Sequence, residues 1–171
     1  RGCVARCTFC QRSVKGYRTY APNDLDTHIL ELKEKYNVGA FRVNDENFGS
    51  NRKQSYEIAR LMKKHNVFWQ AIGVRCTSVT YEDLKFYQEH NMFAIKFGIE
   101  SGSQKILDIM EKKFTVQDVY NAISNCKKVG ISTVPVGLLF GMPGETEETI
   151  KESAAFTASL WYLMGYSWNT F

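Results

Sequence analysis

The sequence predicts an α/β fold with parallel strands, and three observations carry that expectation. Short apolar runs alternate strictly with amphipathic segments of helical period. The runs are apolar almost throughout, as strands covered on both faces are. Each run is separated from the next by a helix-length segment, the crossover that parallel neighbours require.

Pro22 and Asn23 lead into a first helix, with Leu25, Ile29, Leu32 and Tyr36 on one face and Gly39 past its end. Residues 40–44 form a first strand. A second helix spans about 53–65, its apolar surface supplied by Tyr56, Ile58, Ala59, Leu61 and Met62. Residues 67–74 are the next strand. Thr80 reads as an N-cap with Asp83 three residues on, opening a helix that runs to about Glu89. Residues 93–99 are a strand with Lys96 in its middle. Residues 103–110 and 116–129 are helical; Thr115 caps the second and Gly130 stops it. Residues 131–140 are the most apolar strand. A turn at Pro143-Gly144 then leads into a helix reaching about Met164, and residues 166–171 are a last strand. Trp161, Tyr162 and Trp168 are expected in the core. Periodicity leaves two closures open, a doubly wound sheet or a full or partial barrel. Both place functional residues at the carboxyl ends of the strands.

With 171 residues, 44% hydrophobic and 23% charged, the chain is long and apolar enough for one domain and is not disordered. No apolar run approaches the ~20 residues of a membrane span, and no secretory leader is visible. The first residue is Arg1 rather than Met, and the last residues are apolar. The expectation is therefore that residues 1–171 are a core domain cut at both ends from a longer polypeptide. A net charge of +4 lacks the dense basic stripe of a nucleic-acid binder, so a nucleic-acid partner is disfavoured. Arg1, Arg6, Arg12, Lys15 and Arg18 enrich the front of the chain. They are either a solvated surface or the surroundings of an anionic cluster or a polyanionic substrate. Five cysteines, three of them within eight residues, do not form a disulfide framework; a reducing, cytoplasmic setting is expected.

Those three cysteines carry the chemistry. In Cys3-x-x-x-Cys7-x-x-Cys10 a single loop can wrap three thiolates around one metal centre. A structural zinc site wants four closed ligands, and the nearest histidine is His28, on the first helix. Three ligands fit a cubane iron–sulfur cluster with one iron open, whereas an ordinary ferredoxin cluster uses four. Zinc, and redox or buried cysteines, stay open on spacing alone. Cys76 and Cys126 are scattered and read as buried or incidental.

The stretch Arg-Gly-Cys-Val-Ala-Arg-Cys-Thr-Phe-Cys (1–10), with aromatic Phe9 before the last cysteine, strongly resembles the cluster loop of the radical S-adenosylmethionine superfamily. Phe97-Gly-Ile-Glu-Ser-Gly-Ser103, then Ile106-Leu107 and Met110-Glu-Lys112, resembles that family's fourth-strand motif. The stretch from Gly130-Ile131 to Gly141-Met-Pro-Gly-Glu-Thr146 resembles its fifth-strand motif. The likeness is greatest to the cobalamin-binding and methylthiotransferase-like branch of the core domain.

The resemblance implies a partial (β/α)6 TIM-like barrel with parallel strands, whose first strand is missing from this fragment. Cys3, Cys7 and Cys10 would be the catalytic metal ligands of a [4Fe–4S] cluster, and S-adenosylmethionine would chelate the fourth iron. One electron would cleave it to methionine and a 5′-deoxyadenosyl radical, which abstracts hydrogen from an unidentified substrate. Asn44-Asp-Glu-Asn-Phe48 departs from the Gly-Gly-Glu of many members, and Asp45 or Glu46 would face the methionine ammonium. Arg75, where the third strand should end, could meet the cofactor carboxylate or an anionic substrate. Glu100 would accept the ribose hydroxyls, with Ser101 beside it. Lys112 matches a position that pairs with the methionine carboxylate. Gly141 would let backbone approach adenine, near Leu139, Phe140 and Met142. The implied partners are an electron donor such as flavodoxin or ferredoxin, and cobalamin held by a domain not present here. A non-catalytic iron–sulfur or zinc module and an RNA-modifying member of the superfamily are the alternatives.

Overall fold

The computed structural model describes residues 2–11, 16–133 and 137–165. Four strands lie parallel in one sheet in chain order: β1 (Ala40–Phe48), β2 (Phe68–Val74), β3 (Met92–Phe97) and β4 (Ser132–Thr133). Helices α1 (Pro22–Tyr36), α2 (Arg52–Lys64), α3 (Tyr81–Glu89), α4 (Gln104–Ile109), α5 (Val116–Val129) and α6 (Glu147–Met164) alternate with or follow the strands. Because every strand runs the same way, all the loops that follow strands emerge at one end of the sheet.

Local sequence sets the helix starts. Thr80 and Asp83, and Thr115 and Asp118, form reciprocal capping boxes at α3 and α5, and Thr146 caps α6 with Thr149 in the same way. Gly130 and Gly165 end α5 and α6 in left-handed conformations. The strands bury apolar faces against the helices. Phe48, Trp69 and Tyr87 meet edge to face, with ring centroids 5.7–5.8 Å apart. The polar edges of these rings are satisfied. Trp69 Nε1–H donates to the His90 carbonyl at 2.8 Å, and Tyr87 Oη shares a proton with Ser55 Oγ at 2.8 Å.

Several expectations need correction. The first strand continues to Phe48 rather than stopping at Asn44, so Asp45 and Glu46 lie within it. Its register against β2 shifts between Asn44 and Phe48, and the local bulge brings the Asp45 carbonyl over Gly73, where no side chain would fit. β1 is also not covered on both faces: Ala40, Arg42, Asn44 and Glu46 are exposed and alternate with half-buried Phe41, Val43 and Asp45. Tyr36 is exposed rather than on the packed face of α1. Tyr162 is exposed and Trp161 half-buried, because α6 turns only Thr149, Ser153, Phe156 and Leu160 fully inward. Of the apolar run 131–140, only Ser132–Thr133 form a strand and Leu138 makes a parallel bridge to Glu100; residues 134–136 lie outside the described residues. The last strand at 166–171, with Trp168, also lies outside them, as do Arg1, Arg12 and Lys15.

Candidate active site

The cysteine loop is closed at its base by two glycines. Gly2 packs against the Gly16 carbonyl so tightly that a Cβ there would collide with it, and both residues hold positive φ. The loop's middle is tied to the end of α4: Thr8 N–H donates to the Met110 carbonyl at 3.0 Å and Thr8 Oγ1 to the Ile109 carbonyl at 2.9 Å. The Cys10 N–H donates to the Cys7 carbonyl at 3.3 Å, so these two cysteines sit on one turn. Cys3 and Cys7 are half-buried and Cys10 is exposed.

Around this loop the tertiary structure gathers residues from three elements. Arg75, just past β2, donates from Nη1 to Cys7 Sγ at 3.7 Å and from Nη2 to the Lys112 carbonyl. Its guanidinium lies 5.5 Å from the Phe114 ring centre. Lys112 is buried, with Nζ 5.6 Å from the centre of Phe9 and 5.2 Å from that of Phe114. Its ion-pair partner is Glu100, at 3.5 Å. A buried charge is costly unless it is paired. Glu100 itself sits at φ +70°, a left-handed conformation uncommon for a non-glycine residue. Its backbone is held there by the parallel bridge to Leu138 and by the Leu139 N–H at 2.8 Å. Strain of this kind persists only where surrounding contacts impose it.

Of the residues singled out from sequence, Cys7, Phe9, Arg75, Glu100 and Lys112 thus form one contiguous group. Ser101 does not join them. It is buried against α6, its hydroxyl sharing a proton with Ser153 Oγ at 3.2 Å and accepting the Ser103 N–H at 3.1 Å. Asp45 and Glu46 lie at the carboxyl end of β1, where Asp45 Oδ1 accepts the Glu46 N–H at 2.9 Å. Gly141 holds φ +87°, and its N–H donates to Glu145 Oε2 at 2.6 Å, fixing the turn before α6. Leu139 and Phe140 are exposed beside that turn. Sequence reasoning passed over Phe114 and Gly73. Only the fold shows that Phe114 floors both cations and that Gly73 receives the β1 bulge.

The donor set suits a thiophilic metal centre in number and type. Among the described residues, no three His, Cys, Asp or Glu side chains converge closely enough to hold a metal ion. The three thiols share a loop but are not drawn together. Cys76 and Cys126 take no part: burial pushes each thiol up to about 12.

A match to the family described as the radical SAM superfamily covers residues 1–157. The chain belongs to the radical SAM superfamily. It is 30% identical over 177 residues to the anaerobic magnesium-protoporphyrin IX monomethyl ester cyclase of Cereibacter sphaeroides, covering 99% of this chain and 27% of that protein. It is 27% identical over 165 residues to an uncharacterised methyltransferase of Pyrococcus horikoshii, covering 94% of this chain and 36% of that one. Among solved structures, the radical S-adenosylmethionine methyltransferase TsrM from Kitasatospora setae, with cobalamin and a [4Fe–4S] cluster bound, aligns with a TM-score of 0.80 at 17% identity. That alignment covers 93% of this chain and 31% of TsrM. OxsB, a cobalamin-dependent S-adenosylmethionine radical enzyme with aqua-cobalamin bound, aligns at 0.76 and 19% identity over 88% of this chain and 24% of its own. These likenesses show the fold: an α/β radical SAM core with a parallel, barrel-type sheet. The chain spans only 27–36% of the length of these two relatives. Among the described residues, no helix is long and apolar enough to cross a membrane.

Proposed function

We propose that the whole protein is a radical S-adenosylmethionine enzyme and that this chain is its cluster- and cofactor-binding core. The observation that carries the reading is the contact between the cysteine loop and the Arg75–Lys112–Glu100 group at the carboxyl end of the sheet. Cys3, Cys7 and Cys10 hold a [4Fe–4S] cluster, and the loop closes its three thiols around the metal on binding. Bound there, the cluster supplies the electron that cleaves S-adenosylmethionine to methionine and a 5′-deoxyadenosyl radical.

The chain's own residues bind and orient. Arg75 places positive charge against the Cys7 sulfur and so offsets the charge of an anionic centre. Phe9 and Phe114 cover Lys112 and keep water from its ammonium. Glu100 is a pre-positioned acceptor for the ribose hydroxyls, and Lys112 meets the methionine carboxylate as its pairing with Glu100 loosens. Asp45 or Glu46 meets the methionine ammonium, and Gly141 lies beside adenine. Ser101 serves this arrangement indirectly, by fixing the Glu100 segment to α6.

The whole protein also takes an external one-electron donor of the flavodoxin or ferredoxin kind. It binds cobalamin on residues outside this chain, a reading supported by the cobalamin in the TsrM and OxsB structures. The test uses the full-length protein, reconstituted anaerobically with iron and sulfide, reduced, and given S-adenosylmethionine. 5′-Deoxyadenosine is the expected product. A fully loaded cluster that yields none would sink the reading.

A further inference from the structure

The helices cover one face of the sheet only. Strands β1 to β4 lie parallel in chain order, and right-handed crossovers between strands laid down in one direction put every connecting helix on the same side. Helix α1 packs on α2 and α6 on α5, so both extend that layer. The strand residues facing it are apolar and belong to the core: Phe41, Val43, Trp69, Ala71 and Ile95. Alternation sends their neighbours to the opposite face. Among the described residues, that face has no helix over it.

The uncovered face is polar and cationic. Register places Arg42, Gln70 and Ala94 side by side across β1, β2 and β3, and Asn44 and Ile72 form the next pair. Lys96 stands two residues past Ala94 on β3. Arg42 and Asn44 are exposed, and Gln70, Ile72 and Lys96 are half-buried. Lysine is depleted in strands, yet Lys96 occupies the middle of one. Among the described residues, neither Arg42 nor Lys96 takes part in an ion pair. The carboxylates of β1, Asp45 and Glu46, lie three and four residues beyond Arg42, roughly 10 and 13 Å along the strand. The face leads straight to the candidate site. Gly98 follows β3, and a Cβ there would lie 3.0 Å from Glu100 Oε1 and 3.7 Å from Lys112 Nζ.

We propose that the open sheet face binds the substrate of the full protein through a carboxylate held between Arg42 and Lys96. By strand spacing and rise, the two Cα atoms are roughly 12 Å apart, a gap that two extended side chains close on one carboxylate. The Arg42 fork takes both carboxylate oxygens, Lys96 adds a point charge, and Gln70 donates beside them. Ile72, and Phe68 opposite Ala40, offer apolar contact to the carbon skeleton. Phosphate sites draw on helix N-termini and converging backbone N–H groups. Here the strand amides point along the sheet rather than out of it, which favours the carboxylate. The ligand's role as substrate rests on the function proposed above; the binding does not.

The test titrates 4-fluorobenzoate into the full-length protein and follows ¹⁹F line broadening. Saturable binding is expected, about tenfold tighter than that of the neutral 4-fluorobenzamide. It should weaken about tenfold in Arg42→Gln and in Lys96→Met, the scale of one hydrogen bond to a charged group. Lys151→Gln, on the exposed side of α6, should leave it unchanged. The acid–amide comparison needs no variant, so it decides the matter even where a substitution disturbs the fold. Equal binding of acid and amide, or of the acid to all variants, overturns the proposal. Tighter binding of 4-fluorophenyl phosphate overturns the carboxylate assignment. Displacement of the probe by S-adenosylmethionine overturns the site, because the face would then belong to the cofactor. No probe binding, with a lowered urea midpoint in both variants, also overturns it: the two cations would then pair with carboxylates outside this chain. Carboxylate binding in a protein that makes no 5′-deoxyadenosine leaves the site standing and removes only the enzymatic reading.

Discussion

The core around Trp69 and the face around Arg75 are built by opposite rules. In the core, each polar group carried by a buried ring is paired: Trp69 with the His90 carbonyl, Tyr87 with Ser55. Tyr56 donates to Asp83 at 2.8 Å, and Arg52 closes on the same carboxylate at 2.7 Å. On the Arg75 face, Glu100, Glu111 and Lys113 hold left-handed backbone, Lys112 is buried with its ammonium between two rings, and the Asn47 side-chain amide has no hydrogen-bond partner among the described residues. Stability comes from the first region, while the second keeps strain and unmet hydrogen bonds where ligands are expected to bind. The five cysteines divide the same way. Three lie on the accessible loop, and two are buried in the core with thiols pushed up to about 12.

The sharpest way to break this contrast is to exchange the cysteines' fates. In the full-length protein, Cys7→Ser should remove nearly all cluster iron and sulfide after reconstitution, while Cys126→Ala should leave both in place. Unchanged metal content in Cys7→Ser would erase the distinction. Thiol alkylation of the cluster-free protein at pH 8 reads the same division chemically. A thiol at about 12, against an ordinary value of about 8.5, has a thiolate fraction lower by about three orders of magnitude. Cys76 and Cys126 should therefore label only on unfolding, with modification mapped by mass spectrometry.

Stability and activity should separate along the same line. Trp69→Ala, in the satisfied core, should cost about 3–5 kcal/mol in urea unfolding. Glu100→Gln should barely move that transition, yet lower 5′-deoxyadenosine formation at least about tenfold, the scale of one charged hydrogen bond. If Glu100→Gln destabilised as much as Trp69→Ala, the strained segment would be a structural element instead.

The smallest effect lies in the helix caps. Thr115→Ala should cost about 1 kcal/mol. Hydrogen bonds from the Thr115 backbone and hydroxyl hold the Asp118 carboxyl below its ordinary value. A carboxylate with a lowered folded-state pKa stabilises above its unfolded value and loses that stabilisation as pH falls through the folded one. The advantage of the native protein over Thr115→Ala should therefore shrink on acidification below about pH 4, the unfolded range of an aspartate. Urea midpoints for the two proteins at pH 7 and pH 3 provide the check.

Much of this molecule is readable from local chemistry. The α5 limits, the Thr80 and Thr115 caps and the cysteine spacing follow from residue types within a few positions of each other. So does the alternation of strand and helix, since each element's apolar pattern is its own. Local pattern failed where distant segments meet. The extension of β1 past Asn44 depends on a bulge that Gly73 of the next strand admits. Burial of Lys112, matched from sequence to a position that pairs with the methionine carboxylate, depends on Phe9 and Phe114 arriving from different segments. Ser101 looked like a companion to Glu100 and is instead claimed by Ser153, 52 residues away.

The sequence by itself determined the order of elements, the three-cysteine loop and the family, because periodicity, caps and motif spacing are properties of neighbouring residues. Only the tertiary structure decided which of the candidate charges share a site and which hydrogen bonds go unmet. A pairing such as Arg75 with Cys7, or a side-chain amide such as that of Asn47 left without a partner among the described residues, exists only once parallel strands bring their carboxyl ends to one face.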